Sequence, residues 1–402
     1  MTDTERFSNL PDPPFPRLRA LLDTHPPGAR PLSLSIGEPR HAMPDFVGRV
    51  LAENLGQFGK YPDSDGSADL LAAIADWHHR RYGLRPDPAT QLMALNGSRE
   101  GLTGATLALC PEQVHGTRPV VLIPNPFYQA YAFAAVAAGA EPVFVPADPL
   151  SGHLPDYTAL SPGLLERTAI AWVASPANPQ GAVASPGWWR DLLALAEKHD
   201  FMVFSDECYS EIWRTAPPCG VQQIAAEAGC DPERVVSFNS LSKRSNLPGL
   251  RSGFVAAGPQ SMALIRRLRS AAGAPLPGPI QAVSAAVWRD EAHVGASRAR
   301  YQGKYALAEA ILGDLPGFET PEAGFFLWLR APVAGSDTLD DGEAATLKLW
   351  RETGIRVLAG SYLGRDAGSG NPGAGFIRIA LVADEAELED GLRRLRACLF
   401  DG

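Results

Sequence analysis

What most constrains this chain is the alternation, through its middle, of short apolar runs with longer helical patterns. The runs at 120–123, 143–145, 170–174, 202–205, 235–238 and 253–256 are continuous and largely β-branched. Unbroken apolar runs of this length fit strands covered on both faces. Helical patterns at 98–109, 187–199 and 260–271 lie before, between and after them. Strand and helix in alternation imply a mostly parallel α/β sheet flanked by helices. After about residue 290 the pattern changes to a long helical segment at 293–312, an apolar run at 324–329, a helix near 343–352, a strand near 377–381 and a final helix from Asp384. This predicts a smaller α+β domain at 291–402, a large domain at 47–290, and a segment at 1–46 that packs with the small domain. The stretches 331–341 and 364–375 read as Gly/Ser/Asp-rich loops.

The 402 residues suffice for a large core, and 45% apolar with 20% charged is an ordinary globular balance. The net charge of −9 disfavours nonspecific binding to nucleic acid or an anionic membrane. Five cysteines, without metal spacing and odd in number, indicate reduced thiols in a cytoplasmic protein. The sequence shows no signal-peptide pattern and no apolar run near the ~18 residues of a membrane span; the Ala-rich run at 132–140 is too short.

Five segments carry chemistry. Ser240-Leu241-Ser242-Lys243, with Arg251 eight residues after the lysine, places hydroxyls, an amine and a guanidinium on one loop. Such a set can hold a phosphate and supply a lysine for covalent catalysis. Asp206 and Tyr209 follow the run at 202–205, at a strand end where open α/β sheets bind ligands. Asn178 lies in the turn Asn178-Pro179-Gln180-Gly181. Gly97-Ser98-Arg99 opens a helix, a ready anion site, where Ser98 also reads as an N-cap. Tyr128, in Pro126-Phe127-Tyr128, could stack on a flat ligand. Taken singly, each has an ordinary structural explanation as a loop, cap or core contact.

In this order and spacing, the five segments resemble the class I/II aminotransferases of fold type I, enzymes dependent on pyridoxal 5'-phosphate (PLP), over nearly the whole chain. The resemblance implies a role for each matching residue. Lys243 links to the cofactor and moves the substrate proton. Asp206 pairs with the pyridine nitrogen, and Asn178 and Tyr209 bond the ring oxygen. Gly97, Ser98, Arg99, Ser240 and Arg251 surround the phosphate, and Tyr128 stacks on the ring. Tyr61 matches a residue that reaches the phosphate of a neighbouring subunit, which implies a homodimer with shared active sites. Arg378 matches the arginine that binds the substrate α-carboxylate, and Gly37 lies where backbone meets substrate. Gln180 and Ala177 depart from the family's usual Thr and Gly.

Longer segments resemble proteobacterial N-succinyl-LL-diaminopimelate aminotransferases: 34–41, 205–212, 240–246, Trp288-Arg289-Asp290-Glu291-Ala292-His293-Val294 and 360–363. The implied reaction exchanges an amino group between N-succinyl-LL-2,6-diaminopimelate and 2-oxoglutarate, in lysine and diaminopimelate biosynthesis. Both substrates carry a distal carboxylate, so a second cationic site is expected. Arg40 is the leading candidate, with Arg244 and Arg365 as alternatives. Competing readings are another class I/II aminotransferase (aspartate, aromatic or N-acetylornithine type), a PLP β-lyase, and a PLP-binding regulator. The last lacks room for a DNA-binding module ahead of the α/β pattern, and the acidic charge opposes it.

Overall fold

The computed structural model describes residues 7, 8, 10, 12–336 and 338–401. Its larger sheet has seven strands: β2 (Leu92–Leu95), β3 (Val120–Asn125), β4 (Glu141–Pro146), β5 (Thr168–Ala174), β6 (Met202–Asp206), β7 (Val235–Ser240) and β8 (Gly253–Ala257), in the spatial order β2-β8-β7-β6-β5-β3-β4. The five strands β7-β6-β5-β3-β4 are mutually parallel, and β8 runs against both neighbours. Helices Gln129–Ala137, Pro186–His199 and Val221–Ala228 make crossovers between the parallel strands. Between β7 and β8 there is only a four-residue helix, Leu241–Arg244, and the turn Pro248–Leu250. Without a crossover helix the chain reverses, which makes β8 antiparallel.

All six apolar runs read from the sequence are strands, because both faces of this sheet are covered and every residue of β3, β7 and β8 is buried. The strand β2 went unread. Its Leu-Met-Ala-Leu has no β-branched residue, and its composition favours helix. The Ala-rich run at 132–140 lies largely within helix Gln129–Ala137, and no helix among the described residues is long and apolar enough to cross a membrane.

Beyond the large sheet, β9 (Phe326–Arg330), β11 (Leu358–Ala359) and β12 (Phe376–Ala380) form an antiparallel sheet in the order β11-β12-β9. Its Leu327, Leu329, Ile377 and Ile379 pack with Leu388, Leu392 and Leu395 of helix Glu385–Leu399. Burying each such side chain contributes roughly 1.5–3 kcal/mol. Near the N-terminus, β1 (Leu32–Ser33) pairs in parallel with β10 (Ile355–Arg356), and Leu32 and Leu34 join the same core. This pairing carries the 34–41 loop across to the large sheet. Helix Asp341–Thr353 starts at a capping box that the sequence reading did not use: Asp340 accepts from the Glu343 N–H, and Glu343 accepts from the Asp340 N–H.

Candidate active site

Strands β2, β6 and β7 point the same way, so their carboxyl ends share one edge of the sheet. Open α/β sheets bind ligands at such an edge. Asp206 is the last residue of β6. Its Oδ2 accepts from the Tyr131 hydroxyl at 2.8 Å and its Oδ1 from the Cys208 N–H at 3.1 Å. Tyr131 in turn stacks on Trp172, with centroids 4.5 Å apart and planes at 12°. The carboxylate is therefore held from two sides by groups that cannot drift.

Lys243 sits in the single turn after β7, capped by Ser240, whose Oγ accepts from the Ser242 N–H at 3.1 Å. Its Nζ donates to the Gly37 carbonyl and lies 5.4 Å from the Phe325 ring centroid and 5.9 Å from that of Tyr209. Burial pulls the Lys243 ammonium down to about 8, with Arg378 and Arg251 acting in the same direction against Cys208 and Glu38. The amine is thus available as a base near neutral pH. Gly37 is required at its contact, since a Cβ there would lie 2.4 Å from the Phe326 ring.

Arg378, in the middle of β12, is 4% exposed. Its Nη1 donates to Asn178 Oδ1 at 3.0 Å and its Nη2 to the Ser35 carbonyl at 2.8 Å, and its guanidinium lies 4.1 Å from the Phe326 centroid. Burial lowers its pKa to about 10, so it remains cationic. Because Asn178 Oδ1 faces Arg378, its Nδ2 is the end left to donate to a ligand. Burial raises the Tyr209 pKa, keeping its hydroxyl protonated as a donor.

A second cluster meets the first through Tyr128, edge-on to Tyr131 at 5.8 Å. Arg99 Nε donates to the Tyr128 hydroxyl at 2.5 Å. Gly97 precedes helix Ser98–Leu109 at φ 81° and ψ 154°. A Cβ on it would lie 2.1 Å from Arg251 Nη2, and a Cβ on Gly253 would lie 3.3 Å from the Ser98 N–H nitrogen. The result is a cradle of backbone, Arg251 and a helix N-terminus, suited to a phosphate. Gly97, not Ser98, is the N-cap, and no side-chain cap bond is made. The sequence expectation of a Ser98 cap is corrected here: the turn needs a conformation only glycine takes readily, so Ser98 becomes the first helical residue.

Not every candidate joins the set. Tyr61 is fully exposed, and Arg40 is exposed with Nη2 on the Ser33 carbonyl at 3.0 Å. Arg244 is 2% exposed and consumed by Glu291 at 2.8 Å and by the Val287 and Asp290 carbonyls, stacked 4.8 Å from the Trp288 centroid. It cannot serve as a distal-carboxylate site. Arg365 lies 5.6 Å from the Phe144 centroid, on a loop anchored to Asn125. Conversely, Tyr131, Phe325 and the Ser35 carbonyl belong to the site and were not read from the sequence. Tyr131 had one available signal, a lone aromatic hydroxyl in an otherwise apolar helix.

The model of the aminotransferase class I and II family matches residues 29–395. The chain belongs to this family. Its enzymes depend on PLP, and the residues present fit that group: a fixed carboxylate for a ring nitrogen, a buried amine of lowered pKa, and a glycine cradle beside Arg251. The chain is 31% identical to the LL-diaminopimelate aminotransferase of Desulforudis audaxviator over 404 residues, covering 99% of this chain and 98% of that one. An aminotransferase structure from Neisseria meningitidis Z2491 superposes with a TM-score of 0.92 at 35% identity, covering 98% and 99%. A structure of a probable N-succinyldiaminopimelate aminotransferase from Thermus thermophilus gives 0.82 at 26% identity, covering 96% and 100%. This aminotransferase therefore shares fold and length with its relatives.

Proposed function

We propose that this PLP-dependent aminotransferase exchanges an amino group between N-succinyl-LL-2,6-diaminopimelate and 2-oxoglutarate, by ping-pong kinetics, in cytoplasmic diaminopimelate and lysine biosynthesis. The observation that carries the substrate reading is the group of cations around the loop after Gly37, Arg40 on the loop and Arg300 and Lys304 on helix Ala292–Leu312. Arg40, Lys304 and Arg300 are close enough to perturb His41 or one another, and Arg40 has no carboxylate in salt-bridge reach among the described residues. Asp384 and Glu385 act on Lys304, and Arg40, on the loop that follows Gly37, is the cation assigned here to a distal carboxylate. Succinylation replaces the distal ammonium of diaminopimelate with a neutral amide and adds a carboxylate, so the substrate end becomes dianionic.

When bound, PLP supplies an electron sink conjugated to the substrate Cα. Arg378 pairs with the α-carboxylate, oriented by Asn178 and the Ser35 carbonyl. Lys243, neutral in a large fraction near pH 8, would take up the substrate Cα proton and hold it at Nζ for return. Asp206 would hold the proton of the cofactor's ring nitrogen, and Tyr209 and Asn178 Nδ2 would donate to its ring oxygen. Tyr61, fully exposed beside exposed Leu55 and Phe58, supports a homodimer in which it completes the partner's phosphate site. The β1–β10 pairing supports reading the segment 1–46 with the domain 291–402.

A second reading is supported by the LL-diaminopimelate aminotransferase named among the relatives: the substrate is LL-diaminopimelate without the succinyl group. An absorbance scan of the holoenzyme with each amino acid, without keto acid, separates the two. Loss of the visible cofactor band with the succinylated substrate and not with LL-diaminopimelate supports the first reading. The reverse result overturns it. Arg40→Ala is expected to raise KM for both the succinylated substrate and glutamate about tenfold, since a charged hydrogen bond is worth roughly 1.5–3 kcal/mol; unchanged values remove Arg40 from the site.

A further inference from the structure

The segment 288–294, prominent in the sequence, makes none of the contacts described for substrate or cofactor. Helix Gly278–Arg289 ends within it and helix Ala292–Leu312 begins, with only Asp290 and Glu291 between them. The first helix packs on Ala68–Tyr82 beside the large sheet, and the second on Glu385–Leu399. Asp290 Oδ1 lies 2.5 Å from His293 Nδ1, and His293 Nε2 lies 2.9 Å from Ser245 Oγ. Arg244 Nη1 donates to the same Ser245 oxygen at 3.2 Å. Asn246, at φ 54°, donates to Ser297 Oγ at 3.3 Å. The three residues that follow Lys243 are all tied to this junction or to the helix it opens.

Ser245, His293 and Asp290 have the order of a hydrolytic triad, but a nucleophile must be reachable. Ser245 is 0% exposed and its oxygen already accepts from Arg244. The donors instead form a one-way chain. Burial lowers the His293 pKa, opposed by Asp290, with Arg244 and Glu291 as the other charged groups acting on it. Burial alone would raise the Asp290 pKa, yet the bonds from His293 bring it below the usual range. A neutral imidazole has one N–H. Facing a carboxylate, Nδ1 carries it, so Nε2 accepts from the Ser245 hydroxyl. The chain runs Arg244 to Ser245 to His293 to Asp290, with each donor matched.

We propose that Ser245, His293 and Asp290 are positioning residues that clamp the Lys243 turn to the junction of the two helices and so fix where the lysine amine stands. The need is physical: a four-residue helix has few internal bonds, so its place is set by its anchors. The Ser240 cap and the Leu241 N–H on the Ser252 carbonyl hold its start; Arg244 and the clamp hold its end. The proposal rests on Lys243 being the cofactor lysine.

Ser245→Ala, His293→Leu and His293→Gln test it, the last keeping an amide within reach of Ser245. Nitrogen NMR of the apoprotein at pH 7 is expected to show His293 neutral with its proton on Nδ1. In the holoenzyme, Ser245→Ala and His293→Leu are expected to lower kcat of the glutamate half-reaction about tenfold with KM within about twofold. They are also expected to move the titration midpoint of the visible cofactor band, and His293→Gln to restore most of both. An Nε2-protonated or doubly protonated His293 overturns the proposal. So do variants whose melting temperature falls while kcat and the band midpoint hold. Lys243→Ala is run alongside: if it keeps the visible band, the premise fails, separately from the clamp.

Discussion

Replacing Gly97 by alanine is expected to weaken cofactor binding through Arg251. The backbone at Gly97 has φ 81° and ψ 154°, a region essentially closed to other residues. Holding alanine there costs on the order of 1–3 kcal/mol. For a chain of this length that corresponds to a fall of about 1–4 °C in the melting temperature of the apoprotein. The new methyl would also stand 2.1 Å from Arg251 Nη2. Arg251 is exposed and tethered through Nη1 to the Pro248 carbonyl at 2.8 Å, so the guanidinium can swing aside, and it leaves the cradle when it does. Losing its charged bonds to phosphate costs roughly 1.5–3 kcal/mol, or about ten- to hundredfold in the PLP dissociation constant. Fluorescence titration of the apoprotein with PLP measures this. In a double-mutant cycle with Arg251→Ala, the double variant is expected to bind about as weakly as Arg251→Ala alone. A PLP affinity for Gly97→Ala within about twofold of wild type refutes the reasoning. Additive losses in the cycle would show that the glycine acts independently of Arg251.

Three further outcomes are expected. Tyr131→Phe keeps the stack on Trp172 but removes one of the two donors that hold the Asp206 carboxylate in place, so the glutamate half-reaction should slow about tenfold or more in a single-turnover trace. Because the Lys243 pKa is lowered to about 8 from an unfolded value of 10.5, the unfolded apoprotein binds more protons between these values. The Lys243 contribution to stability therefore rises with pH from about 8 to 10.5, and Lys243→Met should flatten that part of the denaturation profile. Mixing inactive Lys243→Ala with a Tyr61 variant of weak cofactor affinity should recover tight binding in hybrid molecules if sites are shared, as read by activity after subunit exchange.

The large sheet was legible because its central strands are buried on both faces and so read as unbroken apolar runs. Asp206, Asn178 and Lys243 were legible because they stand at or just after strand ends, where sequence position and spatial role coincide. Tyr131 was not, since its partner Asp206 is 75 residues away and the one local signal, a hydroxyl on an apolar helix, does not say what it bonds. Arg244 looked available from its place beside Lys243, yet burial against Trp288 and Glu291 is a property of the tertiary structure. The Ser98 cap failed for a subtler reason: serine is a good cap in general, but the approach of Arg251 reserves that corner for a residue without a side chain.

The parallel pairing of Leu32 with Ile355 sets an order of events during synthesis. Residues 32–41 leave the ribosome early, but their strand partner emerges more than three hundred residues later. The seven strands of the large sheet are complete by Ala257 and can collapse while the N-terminal segment still waits. Gly37 and Ser35, which face Lys243 and Arg378, arrive only when the C-terminal part closes over them. A nascent or truncated chain thus holds the lysine without the walls that position its chemistry, and becomes competent in the final step of folding.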